Sequence, residues 1–184
     1  MILLMGIAGS GKGTQGKMLA DRYGFHLISM GDIVRMYVTG DQRKRMLNGE
    51  LLDDTEVISI VDKVLSSIDD SKSIILDGFP RTIPQAEWLI EQQKSGRFSV
   101  DIALHLRASS DAVRKRLIDR ARIDDTNDAI DARFKEYETS TTPLLAWLEN
   151  NRVKVLNIDA ERSVEEVNAE MVKSLQLAQI TTSD

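Results

Sequence analysis

The chain contains no cysteine in its 184 residues. That excludes disulfide bridges and thiolate zinc sites, and no zinc is expected. It has two histidines, His26 and His105, too far apart in sequence to suggest a metal pair, and each reads as a strand or core histidine. Three prolines leave no proline-rich linker, and neither repeats nor low-complexity tracts divide the chain. No apolar run approaches the roughly 20 residues that cross a bilayer. The N-terminal apolar run spans only a few residues and lacks a basic flank, so it does not read as a signal peptide and a cytoplasmic address is expected. Positive charge is also in short supply: 24 Lys and Arg against 29 Asp and Glu give a net charge of −5. A broad nucleic-acid or anionic-membrane footprint is therefore not expected, and any phosphate site must be a local basic pocket. Apolar residues at 42% suffice for one well-filled core, so residues 1–184 read as a single domain.

Short apolar runs recur at 2–5, His26–Ser29, Ser73–Leu76, Asp101–Leu106 and Val153–Ile158, with helical periodicity between them. This alternation predicts a three-layer α/β fold with a five-stranded, mostly parallel sheet between helices. The first run has no polar alternation, as in a strand buried on both faces. It leads into Gly6-x-x-x-x-Gly11-Lys12, with Gly9, Ser10, Gly13 and Thr14 interleaved, the spacing of a phosphate-binding loop. Such a loop turns backbone N–H groups inward as a nest for anionic oxygens, and the helix starting near Gly13 adds its positive end. Lys12 supplies a point charge for the outer phosphates. A plain glycine-rich turn is the bland alternative, but four glycines with a lysine in register disfavour it.

The second informative stretch is Ser73–Gln85. An apolar strand delivers Asp77 at its C-terminal end, where open α/β sheets hold ligands and where a carboxylate can support phosphate-bound Mg²⁺. A buried structural aspartate is the competing reading. Gly78, Phe79, Pro80, Arg81 and Gln85 follow. Two short helices broken at Gly40-Asp41 are expected before Asn48-Gly49, and Arg43-Lys44-Arg45 reads as a solvated face rather than a phosphate patch. Asp53 and Asp54 are expected to cap and charge the next helix rather than to serve as metal ligands. Arg116 and Arg120 lie at i, i+4 on the helix from Ser109, with Arg122 close behind and Arg133 on the following helix. The acidic run Ile123–Asp128 suits the start of that helix, which Pro143 should kink. The last helix opens with the capping box Ser163-x-x-Glu166, and Thr181–Asp184 reads as a frayed tail.

Together these stretches resemble the adenylate kinases and, more broadly, the nucleoside monophosphate kinases. Gly6–Gln15 is similar to the family's phosphate loop, Gly31-Asp32-x-x-Arg35 to its monophosphate motif, and Asp77-Gly-Phe-Pro-Arg81 to its signature. The resemblance implies Mg²⁺-dependent, reversible transfer of the ATP γ-phosphate to AMP, giving two ADP. It implies a small helical monophosphate-binding lobe at 30–52. Gly9, Ser10, Gly11, Lys12, Gly13, Thr14, Arg116, Arg120, Ala160 and Arg162 would meet ATP. Met30, Arg35, Glu50, Leu51, Leu52, Val57, Gly78, Phe79, Pro80, Arg81, Gln85, Arg122 and Arg133 would meet AMP. Lys12, Arg81, Arg120, Arg122 and Arg133 would stabilise the transferring phosphoryl group, while Thr14 and Asp77 would hold Mg²⁺, mostly through water.

Three departures stand out against that resemblance. Ala8 replaces the loop's usual proline. Met30 replaces a threonine beside the acceptor base, which weakens the case for AMP over CMP or UMP, whereas Gln85 argues for AMP. Only Ala121 separates Arg120 from Arg122 where relatives carry a lid, so 121–126 is expected to be a vestige. A second copy of the chain covering the site is one arrangement that would replace the lid. The rival readings are a P-loop NTPase switch without an acceptor nucleotide, a small-metabolite kinase, and a degenerate nucleotide-binding subunit.

Overall fold

The computed structural model describes residues 1–48, 50–68 and 73–177. The expected helix stop at Gly49 and the tail Thr181–Asp184 lie outside them. Strands β1 (Ile2–Met5), β2 (His26–Ser29), β3 (Ile74–Asp77), β4 (Ile102–Arg107) and β5 (Val155–Asp159) form one sheet in the order β2-β3-β1-β4-β5. Every neighbouring pair is parallel. The last three strands start and end one or two residues later than the apolar runs suggest, so Asp77 is itself the last residue of β3.

Strand β1 lies at the centre, which explains its unbroken apolar run. Leu3 and Met5 face one core, with Val61, Leu65, Leu89, Leu144 and Leu148. Ile2 and Leu4 face the other, with Leu19, Val167, Met171 and Leu175. The helices are α1 (Lys12–Tyr23), α2 (Met30–Tyr37), α3 (Gly40–Leu47), α4 (Asp54–Ser66), α5 (Ile83–Lys94), α6 (Ser110–Arg120), α7 (Asn127–Glu136), α8 (Thr142–Asn150) and α9 (Val164–Leu177); α2, α4, α5 and α8 build the first core, and α1 and α9 the second. A third, smaller cluster of Ile7, Val113, Leu117, Ile130 and Phe134 packs α6 and α7 beneath the loop after β1. Gly16 lets α1 approach the sheet: a Cβ there would stand 2.9 Å from Leu27 and 3.0 Å from Leu4. Trp88 and Trp147 pack against the first core.

Local chemistry sets the boundaries. Asp53 accepts the Thr55 N–H and caps α4, and Ser163 and Glu166 exchange hydrogen bonds as a capping box. The expected kink at Pro143 is a π-helical turn, Tyr137–Thr141, between α7 and α8. Proline has no N–H for the helical ladder, and the ladder widens just before it. Parallel pairing then brings the strand C-termini to one rim. Asp77 is level with Leu4 and with Ser29, and Asp159 with Arg107. The chain leaves β1 toward β2 and β3 and later crosses to β4 and β5, so this rim carries the sheet's switch point. Among the described residues no helix is long and apolar enough to cross a membrane.

Candidate active site

A cleft of about 970 Å³ opens at that rim. Its floor is the loop after β1. Gly6 takes φ +137°, and a Cβ there would lie 2.5 Å from the Leu106 carbonyl oxygen, so only glycine fits beneath β4. Gly11, at φ +98°, has nothing within 4 Å of its missing Cβ. It turns the backbone toward the open cleft and stands at the N-terminus of α1. Helices α4, α5, α6 and α7 each begin with a side-chain cap. Helix α1 has no side-chain cap and no acidic residue in its first turn. Its first N–H groups are thus left for an anion.

Lys12 Nζ donates to the carbonyls of Gly6 at 2.7 Å and Ile7 at 2.9 Å. Withdrawal from water pushes its ammonium pKa down to about 8; Asp77 opposes the shift, and Arg81 and Arg120 add to it. Asp77 is buried at the end of β3, and burial raises its carboxyl pKa against the pull of Lys12 and Arg81. A Cβ on Gly13 would lie 3.8 Å from Asp77 Oδ2, so the carboxylate stands beside the start of α1, where Thr14 also lines the cleft. Among the described residues no three His, Asp or Glu side chains converge as a metal cage. A buried carboxylate next to a hydroxyl and a phosphate cradle nevertheless fits a Mg²⁺ carried in on phosphate.

The expected acceptor residues converge on the same cleft. Met30, Arg35, Glu50, Leu51, Leu52, Val57, Gly78, Pro80, Arg81, Gln85, Arg122 and Arg133 all line it. Phe79 differs from them: its side chain is 0% exposed, packs edge-on against Trp88 and lies in the core, so that side chain does not line the cleft. An aromatic residue inside a signature loop reads as a ligand contact, but here it anchors the loop from below. On the donor side Arg116, Arg120, Ala160 and Arg162 line the cleft with the phosphate loop. Arg116 Nη2 donates to the Ala160 carbonyl at 2.9 Å and ties α6 to the turn after β5. Arg162 pairs with Asp159 and Glu170.

Two aspartates matter more here than the sequence suggests. Asp124 and Asp125 read as helix-start charges, but Thr126 is the cap of α7. Asp125 instead holds Arg120 through two bonds of 2.7 and 2.9 Å and Arg133 at 3.0 Å. Asp124 holds Arg133 at 2.5 Å and lies 3.8 Å from Arg35. Arg35 also bonds Asp32 at 2.5 Å. Cations gathered without phosphate repel one another, and these carboxylates offset that repulsion. A phosphate bound in the cleft would compete with them for these guanidinium groups. The only sequence signal for this role was an acidic pair flanked by arginines. Tyr137 lines the cleft, and its hydroxyl pairs with His105 of β4. The His105 Nδ1 bonds Asn157 Oδ1 at 2.7 Å and its Nε2 bonds Tyr137 Oη at 2.5 Å. Burial lowers the imidazole pKa, keeping the ring neutral.

Comparison with known proteins agrees with this geometry. The family model described as "Adenylate kinase" matches residues 4–153. An adenylate kinase of Corynebacterium urealyticum is 35% identical over 91% of this chain and 94% of its own. One from a Mycobacterium species is 36% identical over 95% and 98%, and one from Bacteroides thetaiotaomicron 37% identical over 82% and 85%. With fold, phosphate loop, cationic cleft and these relatives in accord, the chain belongs to the adenylate kinase family.

Proposed function

We propose that the residues of this cleft align ATP and AMP end to end and carry the γ-phosphoryl group between them, giving two ADP. Family membership supports the overall reaction, and adenylate kinases use Mg²⁺ with ATP. The observation that carries the residue assignments is that the Lys12 loop and the Arg35, Arg81 and Arg133 set line one continuous cleft. A phosphate-loop switch without an acceptor needs only the first of these. In our reading the loop from Gly9 to Thr14 cradles the donor phosphates and Lys12 follows the transferring group. Arg35, Arg81 and Arg133 hold the acceptor phosphate, and Arg120 and Arg122 span donor and transferring phosphates. Arg116 and Arg162, with the Ala160 turn, receive the donor base. Leu52, Val57 and Met30 flank the acceptor base, with Gln85 at its edge. Thr14 and Asp77 would hold Mg²⁺, which when bound would supply positive charge against the donor phosphates.

An oxygen of the acceptor phosphate attacks the γ-phosphorus as the bond to the β–γ bridging oxygen breaks, and ADP leaves with that electron pair. No side-chain nucleophile is required, and the protein acts by positioning and by electrostatics. The test is purified protein with Mg²⁺-ATP and AMP, CMP, UMP or GMP offered separately. ADP formation should require an acceptor and be fastest with AMP. Equal ADP with and without acceptor would reject the transfer reading, and a pyrimidine preference would reject the base assignment.

Binding ATP should also move a proton. Phosphate oxygens placed at Lys12 raise its pKa from about 8. ATP binding above that pH therefore takes up a fraction of a proton, and affinity falls as pH rises through 8. Titration calorimetry at pH 8.5 in two buffers of different ionisation enthalpy should give different apparent heats. Identical heats would contradict a depressed Lys12.

Residues 30–52 serve as the acceptor lobe and 121–126 as the remnant of a lid in this reading. The latter are six residues joining α6 to α7, with Ile123 79% exposed. Closed lids exclude water, so a site closed by so little should leak, hydrolysing ATP slowly without AMP. Negligible hydrolysis in a protein that sediments as a monomer would contradict both poor closure and closure by a second copy.

A further inference from the structure

We infer that Asp54, which does not line the cleft, is the positioning residue that fixes which way the Gln85 amide faces and thereby makes this site select adenine. The inference rests on the reading of Gln85 as the group at the acceptor-base edge. Gln85 is 2% exposed and lines the cleft. Its Oε1 accepts the Arg81 backbone N–H at 2.8 Å, and its Nε2 donates to Asp54 Oδ1 at 2.8 Å. A backbone N–H only donates and a carboxylate only accepts. Turning the amide over would therefore set N–H against N–H and oxygen against carboxylate, so the orientation is dictated by its partners. Asp54 is itself held: the Thr82 hydroxyl donates to the same Oδ1 at 2.7 Å. Thr82 also caps α5, the helix that carries Gln85. The start of α4 and the start of α5 are thus locked together at one carboxylate oxygen.

One N–H and one oxygen lone pair of Gln85 remain uncommitted. The edge of adenine offers an acceptor at N1 and a donor at N6, which those two groups match. Hypoxanthine offers the reverse, a donor at N1 and an acceptor at O6, and it matches only a flipped amide. The neighbouring Met30 is 2% exposed and has a thioether where a hydroxyl would contribute a hydrogen bond. Discrimination on this side therefore falls on Gln85, and the choice of its face falls on the Arg81 backbone N–H and on Asp54, the one of the two that a side-chain substitution can change. A site built to hydrogen-bond one pattern rejects the opposite one strongly, because its buried groups are left unpaired.

The experiment measures kcat/KM with AMP and with IMP at saturating Mg²⁺-ATP, in the unaltered protein, Asp54→Asn, Asp54→Glu and Gln85→Ala. Asparagine can donate as well as accept, so it removes one of the two partners that oppose the flipped face and leaves only the Arg81 N–H against it, whereas glutamate keeps an acceptor-only partner. The AMP-over-IMP ratio should fall about tenfold or more in Asp54→Asn, through a raised KM for AMP and a gain with IMP, and recover in Asp54→Glu. The KM for ATP should stay unchanged. Should Asp54→Asn fail to fold, Thr82→Val, which removes the hydroxyl anchoring the carboxylate, should shift the same ratio in the same direction. A lower melting temperature with an unchanged ratio in these variants, alongside a collapsed ratio in Gln85→Ala, would overturn the inference and leave the Gln85 reading standing. An unchanged ratio in Gln85→Ala would overturn the Gln85 reading itself, and this inference with it.

Discussion

Replacing Arg81 by alanine lowers kcat about 10²-fold or more while ATP still binds. The expectation follows from where Arg81 stands. It leaves the loop after β3, its Nε donates to the Gly78 carbonyl at 3.0 Å, and its own backbone N–H is fixed by Gln85. The guanidinium is thus carried on a braced turn rather than a free loop, facing the phosphate loop across the cleft. Loss of one preorganised donor to developing charge costs ~3 kcal/mol of barrier, which is about 10²-fold in rate. Lysine at this position should restore little, because a point charge cannot reproduce a planar, forked donor. Steady-state kinetics decide the matter: KM for ATP within about threefold of the original, with the loss in kcat and in KM for AMP, is the expected pattern. Full turnover in Arg81→Ala would contradict the role.

Lys12→Met should do more. Methionine keeps an unbranched apolar stem one atom shorter and removes the charge, so the loop after β1 retains its packing on Leu106 and Leu117. Lys12 opens α1 directly after the loop, and it already bonds two of the loop's carbonyls. In the proposed reading it leaves those carbonyls and follows the phosphoryl group from donor to acceptor. Loss of a cation that tracks the transferring group costs about 10³-fold, the low end of the range for transition-state cations in phosphoryl transfer. The proton uptake on ATP binding should vanish in the same variant, and that readout separates loss of the ammonium from a misfolded loop.

Much of this arrangement was legible in the chain before its fold was known. The non-alternating run at Ile2–Met5 predicts a strand covered on both faces, and β1 is central. The spacing Gly6 to Lys12 places a phosphate cradle, and Asp77 at the end of an apolar strand places a carboxylate beside it. Both are local signals, in which backbone conformation and strand polarity are written within a dozen residues. What stayed hidden depends on contacts between distant segments. Asp54 reads as a helix-start charge because its partners, Thr82 and Gln85, lie on another helix. Asp124 and Asp125 read the same way because the arginines they hold come from α2, α6 and α7. Phe79 reads as a ligand contact because a signature loop gives no sign of which side chains turn inward, and Trp88, against which it packs, lies farther along. Pro143 forecast a disturbance in the helix but not its form, since the widened turn depends on how α7 and α8 each dock on the core.

The central claim is that two nucleotides occupy one cationic crevice at once, end to end. The most direct measurement is titration with a bisubstrate probe, two adenosines joined through a chain of phosphates, followed by competition against ATP and AMP separately. The account predicts one probe per chain, displaced by either nucleotide, with affinity lost in both Lys12→Met and Arg81→Ala. A probe that competes with ATP alone, or that binds two to a chain, would contradict it.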